Sequence, residues 1–219
     1  MIDNFLQVSP NHQFLVFTEN KNDNFNHITY TGPFIRSFNY IEDDINEVLS
    51  NTKADAIILH QLNLKFANTV NKIKNSIQIA WIAWGFDVYS LPNIKPSLYA
   101  PITKQFILKC RPASSLVWSI KKYNFARVIF YRLKGKRDPY REIFKAIDRI
   151  NFFSTYIRED FDYFSKYYHK NNLGFLESSF STIDQYLAGN NNLRVDEFAT
   201  SVIIGNSNTL ESNYLDVIG

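Results

Sequence analysis

The sequence predicts an α/β fold in which a parallel β-sheet is flanked by helices. Two observations indicate this fold. Short apolar runs alternate with segments of helical periodicity over the first 85 residues, and one run, residues 77–84, ends in Gly85 and a solitary carboxylate, Asp87. With 219 residues, 45% of them apolar, the chain is long enough for one complete domain and its core. Ligands of such sheets bind just outside the carboxyl ends of the strands, so the turn after residue 84 is the first candidate site.

The elements of the first half follow from local pattern. Strands are predicted at the short apolar runs, residues 13–18, 28–31, 56–59 and 77–84. A helix is predicted at residues 40–51, where acidic residues occupy the first turn, and another around Phe66, Val70 and Ile73. These elements alternate as βα units do, so the sheet is expected to be parallel.

The second half contains a long segment without strand character. Four prolines exclude a single long helix over residues 91–112, whereas residues 113–136, with no proline and one glycine, are compatible with one. The elements predicted after it are a helix that ends near residue 150, a strand at residues 152–157 and helices at residues 158–168 and 180–187.

The chain is predicted to divide near residue 190. Residues 188–196 resemble a linker, and a new strand, turn and helix begin at residue 201. We therefore expect one domain over residues 1–190, with a basic aromatic insertion at residues 88–137, and the first strand and helix of a second domain in residues 191–219.

Charge is segregated along the chain. Residues 88–137 contain 11 Lys or Arg and no Asp or Glu, which leaves 13 basic residues against 21 acidic ones in the rest. Such segregation favours an anionic partner, either nucleic acid, a phosphorylated substrate or an anionic membrane surface, and its alternative is an ordinary solvated face. The residues expected to form the cationic surface are Lys104, Lys109, Arg111, Lys121, Lys122, Arg127 and Arg132.

Aromatic residues, among them Trp118, Tyr123 and Phe125, are interleaved with these cations. The mixture suits a lipid headgroup interface, where rings and cationic stems lie half in water, and it also suits stacking on single-stranded nucleic acid. A core helix whose Lys and Arg side chains reach out to water is the third interpretation.

The single cysteine, Cys110, rules out an intrachain disulfide framework and favours the cytoplasm. The N-terminal residues lack the features of a signal peptide, and no apolar run is long enough to cross a bilayer, so membrane contact is expected to be peripheral. The histidines show no metal-ligand spacing with one another or with the cysteine, so no metal is expected.

Two motifs resemble a known family. Trp84, Gly85, Asp87 and Tyr89 form a W-G-x-D-x-Y element, and residues 203–214 contain a G-N-S segment. Both are similar to motifs of the bacterial TDP-N-acetylfucosamine:lipid II N-acetylfucosaminyltransferases, and the order of elements between them matches over nearly the whole chain. Tyr214 stands where that family usually has histidine.

The resemblance implies the N-terminal, Rossmann-like, acceptor-side domain of a GT-B glycosyltransferase. Such an enzyme would move a fucosamine-type sugar from a TDP-sugar donor to a polyprenyl-diphosphate-linked acceptor in surface polysaccharide synthesis. It would act at the inner face of the bacterial cytoplasmic membrane, without a metal or another cofactor. Because residues 191–219 would hold only part of the donor domain, this chain alone is expected to have little activity.

Candidate site residues follow from the motifs. Asp87 is the leading catalytic candidate, because a carboxylate just past a strand end is able to accept a proton from an acceptor hydroxyl; its alternative role is to cap backbone N–H groups in the turn. His60, at the end of the preceding strand, is the second catalytic candidate, with a structural role as its alternative. By resemblance, Trp84, Gly85 and Tyr89 would contact the acceptor. The donor-binding candidates are Gly205, Asn206, Ser207 and Asn213.

Two rival functions remain open at this point. An α/β domain could use the basic surface of residues 88–137 to hold nucleic acid without catalysis, although we expect no nucleic acid partner. A sugar transferase of the same architecture could also use a different donor sugar.

Overall fold

The computed structural model describes residues 11–19 and 33–178. The predicted strand at residues 28–31, the helix at 180–187 and the whole of residues 191–219 lie outside this part of the chain.

The described residues form two parallel sheets. β1 (Phe14–Thr18) pairs with β2 (Ile35–Asn39) in a sheet of two strands. The main sheet contains β3 (Ala56–Leu59), β4 (Gln78–Ile82), β5 (Phe152–Thr155) and β6 (Gly174–Glu177), in that spatial order. Each pair of neighbours in the main sheet is parallel, as the alternation of strands and helices predicts.

Helices connect and flank the strands, and a 3₁₀ turn forms at Lys95–Ser97. The helices are α1 (Ile45–Thr52), α2 (Leu64–Val70), α3 (Phe86–Tyr89), α4 (Pro101–Cys110), α5 (Ser114–Lys122), α6 (Asn124–Leu133), α7 (Pro139–Ile147) and α8 (Arg158–Tyr167). Side-chain caps define several of their starts: Asp44 and Asp138, for example, accept from the backbone N–H two residues on. The fold is therefore a Rossmann-like α/β arrangement, with a parallel sheet flanked by helices.

The core of the main sheet is aromatic. Trp81 of β4, Phe153 of β5 and Phe164 of α8 are almost completely buried. The Phe153 and Phe164 rings stack with centroids 4.7 Å apart, and Trp81 meets Phe153 edge-on at 5.1 Å. Such contacts stabilise by about 0.5–1.5 kcal/mol each beyond the area that they bury, so α8 is held firmly on the sheet.

Helices α2 and α7 pack side by side on the sheet. The Asn71 side-chain amide, just past α2, donates to the Glu142 carboxylate of α7 at 3.1 Å. The Arg149 guanidinium donates to the carbonyl oxygens of Val70 and Ile73, at and just beyond the carboxyl end of α2, where a cation complements the helix dipole.

The sequence predictions for β1, β3, β4, β5 and the helices around them are confirmed to within a few residues. Strands β2 and β6 were not predicted, because each is short and only partly apolar. The prediction of one long helix over residues 113–136 is wrong. Two helices, α5 and α6, form there instead, separated by Tyr123, whose backbone is extended.

Candidate functional site

The carboxyl edge of the main sheet brings several loops together. β3, β4 and β5 are parallel, so the residues that follow Leu59, Ile82 and Thr155 lie along one edge. Exposed apolar or aromatic side chains occupy this edge: Trp84 and Phe86 after β4, and Tyr156 and Ile157 after β5. This is the position at which open α/β sheets bind ligands, and its aromatic character suits a flat organic ring.

Asp87 lies in the first turn of α3, and its carboxylate is surrounded by N–H donors. Oδ2 accepts from the Leu62 backbone at 3.0 Å and from the Trp81 indole at 2.8 Å. Oδ1 accepts from the backbone N–H groups of Trp84 at 3.0 Å and Val88 at 3.1 Å. The side chain therefore ties the loop after β3 to strand β4 and to the turn that follows β4.

The position of Asp87 favours the turn-capping alternative over the catalytic one. The residue is only 4% exposed, and both carboxylate oxygens already accept two hydrogen bonds. Burial raises the pKa of the Asp87 carboxyl above its usual range. The hydrogen bonds that the carboxylate accepts lower the pKa and so oppose part of this rise. The prediction that Asp87 meets an acceptor hydroxyl is corrected accordingly: its role is to hold the two loops in place.

Gly85 makes the turn at the end of β4 possible. Its φ of 79° is a conformation that L-residues with a Cβ rarely adopt, and a Cβ there would lie 3.4 Å from the Tyr89 ring. The Tyr89 hydroxyl donates to Asp160 of α8, which also accepts from Thr155 at 3.1 Å. Burial, together with this neighbouring carboxylate, raises the pKa of Tyr89. Gly85 and Tyr89 thus fix the backbone of the turn after β4, whereas the indole of Trp84 is exposed at the edge of the sheet.

His60 follows β3 directly and is partly buried. Burial lowers the pKa of its imidazole and so favours the neutral ring. Its loop is fixed to the turn after β4 through the hydrogen bond from Leu62 to Asp87. His60 therefore lies at the same edge as Trp84, and its environment favours the neutral imidazole, the form that accepts a proton.

A helical insertion, defined here as α4, α5 and α6 (residues 101–133), lies in the connection between β4 and β5. Five of the seven cations predicted for its surface are exposed: Lys104, Lys109, Arg111, Lys122 and Arg132. Lys121 is half-buried, with its ammonium 5.8 Å from the centroids of the Phe130 and Tyr131 rings. Exposed apolar side chains lie among the cations: Ile102, Phe106, Leu116, Tyr123, Phe125, Val128, Ile129 and Leu133.

Arg127 is not part of this surface, and the prediction that it is was wrong. It is 2% exposed, and its Nε lies 2.7 Å from the Asp138 carboxylate. The guanidinium also donates to the Lys121 carbonyl and the Asn124 side chain, and it stacks 4.6 Å from the Phe144 ring centroid. The hydrogen bond from Arg127 to the Lys121 carbonyl joins α6 to the end of α5. This contact is consistent with the interruption of the helix at Tyr123.

The donor-binding candidates Gly205, Asn206, Ser207 and Asn213 lie outside the described residues. Within residues 11–19 and 33–178, no group of three or more His, Cys, Asp or Glu side chains is placed to hold a metal ion. Over the same residues, no helix has the length and apolar character needed to cross a membrane.

No protein-family model, curated protein or solved structure matches the chain. The resemblance to the fucosaminyltransferases stays a prediction, and function has to be argued from the geometry of this molecule.

Sequence reasoning missed Phe86, Tyr156 and Ile157 at the carboxyl edge. The rule that led to Trp84, inspection of the residues just past a parallel strand, would have found Tyr156 if it had also been applied to β5.

Proposed function

We propose that this chain is the acceptor-side domain of a membrane-associated sugar transferase. It holds a polyprenyl-diphosphate-linked saccharide at an anionic membrane surface, for transfer from a nucleotide sugar such as a TDP-linked fucosamine. The observation that carries the proposal is the helical insertion, in which exposed apolar and cationic side chains are combined without a single carboxylate.

The apolar part of the insertion forms a stripe on α6. Phe125, Ile129 and Leu133 are spaced four residues apart and therefore lie on one side of the helix, and Phe125 and Leu133 are 80% and 84% exposed. Burying a side chain of this size in an apolar environment is worth about 1.5–3 kcal/mol. A lipid headgroup layer offers that environment without requiring a protein partner.

The cationic part supplies attraction to anionic lipid. Each Lys or Arg close to an anionic leaflet contributes about 1 kcal/mol. The five exposed cations of the insertion, with Lys134, Lys136 and Arg137 just after it, are enough for peripheral binding in combination with the apolar stripe.

The carboxyl edge of the sheet supplies the place for the acceptor sugar. Exposed rings of Trp84, Phe86 and Tyr156 offer flat apolar faces for a sugar ring. His60, whose pKa is lowered by burial, is the residue of this edge best suited to accept the hydroxyl proton. Asp87 supports the site by fixing the loops that carry these residues.

Sedimentation with lipid vesicles tests the proposal. The chain should bind vesicles containing phosphatidylglycerol more strongly than vesicles of phosphatidylcholine alone, and the difference should shrink as salt is raised. The variant Phe125→Ser/Leu133→Ser should weaken binding at least about tenfold, because two membrane-inserted side chains are lost. The matched control Ile41→Ser removes an apolar side chain that is 70% exposed elsewhere and should leave binding unchanged.

Equal binding to both vesicle types, or equal loss in the stripe variant and the control, would overturn the membrane assignment. A gel shift with a single-stranded oligonucleotide at the same salt concentrations addresses the rival function. Tighter binding to the oligonucleotide than to the anionic vesicles would favour a nucleic-acid-binding domain instead.

A further inference from the structure

A cleft that borders the helical insertion lies between α2 and the segment that joins α6 to α7. Its volume is about 530 Å³, which is within the usual range for small-molecule sites. Four cations line it: Arg132 near the end of α6, Lys136 and Arg137 in the joining segment, and Arg141 of α7.

The acidic residues in the cleft wall cancel only part of this charge. Asp138 is paired with the buried Arg127 at 2.7 Å, and Glu142, which accepts a hydrogen bond from the neutral Asn71 amide at 3.1 Å, offsets one of the four cations. The four cations are exposed, and none of them forms an ion pair within the described part of the chain. The cleft therefore presents a net positive surface whose charges have no protein partner there.

The lining of the cleft is partly apolar. Leu64 of α2 and Val128 of α6 line it and are both about two-fifths exposed, at 39% and 45%. A site for inorganic phosphate alone needs neither this volume nor apolar contacts. The combination suits a phosphorylated group attached to an organic chain or ring.

We propose that this cleft binds the diphosphate group of an organic diphosphate ester. Three arginines and a lysine suit two linked phosphates, because a guanidinium group is able to donate two parallel hydrogen bonds to phosphate oxygens. Leu64 and Val128 then contact the first atoms of the esterified group. The ester is either lipid-linked or a soluble nucleotide, since both have the same diphosphate.

The topology places the cleft where a lipid diphosphate would be useful, an argument that rests on the proposed function. α2 leaves the carboxyl end of β3 and α7 returns the chain toward the amino end of β5, so the starts of both helices lie toward the carboxyl edge of the sheet. Val128 and Arg132 are four residues apart on α6, on the side next to the Phe125, Ile129 and Leu133 stripe. The cleft thus lies beside the proposed membrane contact, on the side of the fold that carries the acceptor edge.

Isothermal titration of the full chain with three probes tests the proposal: inorganic pyrophosphate, farnesyl diphosphate and thymidine diphosphate. All three should bind. Tighter binding of farnesyl diphosphate would identify the lipid as the source, and tighter binding of thymidine diphosphate would identify the nucleotide. The variant Arg137→Gln/Arg141→Gln should lose at least about tenfold in affinity for every probe, because two charge-assisted hydrogen bonds are removed.

The matched control Lys72→Gln/Lys166→Gln removes two exposed positive charges outside the cleft and should change affinity less than about twofold. The variant Leu64→Ala should weaken the preferred organic probe but leave pyrophosphate unaffected. Thermal melting checks that each variant folds, which we expect because all the substituted side chains are exposed.

Failure of wild-type protein to bind any of the three probes would overturn the proposal, as would an equal loss in the cleft variant and its control. Vesicle sedimentation of the wild-type protein separates this outcome from the function proposed above. Pyrophosphate binding without vesicle binding would leave the cleft assigned and remove the membrane role, whereas vesicle binding without pyrophosphate binding would do the reverse.

Discussion

The substitution Asp87→Asn tests most directly how the candidate site is held together. The carboxylate accepts four hydrogen bonds, two on each oxygen, from Leu62, Trp81, Trp84 and Val88. An asparagine has only one acceptor oxygen. Whichever way its amide is turned, the NH₂ group faces two N–H donors that have lost their partner.

The cost of this substitution can be worked from those contacts. A buried donor left without a partner costs about 1–3 kcal/mol, so two of them cost about 2–6 kcal/mol. Removing a buried charge returns part of that cost, because burial already disfavours the ionised form of Asp87. We therefore expect a loss of about 3 kcal/mol, a large part of the 5–15 kcal/mol typical of a whole domain.

Urea unfolding followed by tryptophan fluorescence measures the effect, since Trp81 lies against the substituted side chain. With a slope of about 2 kcal/mol per molar urea, the unfolding midpoint should fall by about 1.5 M. The control Asp162→Asn breaks an exposed pair with Arg158 and should shift the midpoint by less than about 0.3 M. If the two variants unfold at the same urea concentration, the hydrogen bonds of Asp87 do not hold the two loops together. The catalytic role predicted for Asp87 would then be the better interpretation.

Three further predictions concern the surrounding structure. Arg127→Met should destabilise the chain by about 3–5 kcal/mol in urea unfolding, because it leaves the Asp138 carboxylate buried and unpaired, and adding Asp138→Asn should restore part of the loss. Gly85→Ala should lower the melting temperature through a strain of about 1–3 kcal/mol at φ 79°, and an unchanged melting temperature would show that the turn tolerates a Cβ. Because burial lowers the pKa of folded His60, its contribution to stability is fully present above about pH 6.5 and is lost as the pH falls through the lowered value. Unfolding measured from pH 7.5 to 5 should show this decline in the wild type, and a decline equally steep in His60→Gln would assign it to another group.

The candidate site separates the residues that shape it from those that face a ligand. Asp87, Gly85 and Tyr89 set the turn after β4 through buried or half-buried contacts. The side chains of Trp84 and Tyr156 are 41% and 42% exposed at the sheet edge. The acidic residue of the W-G-x-D-x-Y motif is therefore a structural element of this edge in the folded chain, whereas the tryptophan of the motif is exposed there.

Much of the fold could be predicted because it depends on local pattern. The apolar runs of β3 and β4 and the acidic start of α8 are readable from neighbouring residues alone. β2 could not be predicted, because Ile35–Asn39 has a mixed pattern and owes its strand conformation to pairing with β1.

The candidate site was predictable in position but not in detail. The parallel topology placed His60 and Trp84 at one edge, since strand direction follows from the alternation of elements. Arg127 was misassigned because a basic residue between aromatic ones gives no local sign of a buried partner 11 residues away.

The sequence by itself determined the α/β class, the parallel sheet and the segregation of 11 cations into residues 88–137, since periodicity and charge are properties of neighbours along the chain. Only the tertiary structure decided that Asp87 is enclosed by four donors, that Arg127 is buried against Asp138, and that Arg132, Lys136, Arg137 and Arg141 share one cleft. Burial and pairing depend on which distant segments meet, and that is settled by packing of the whole domain.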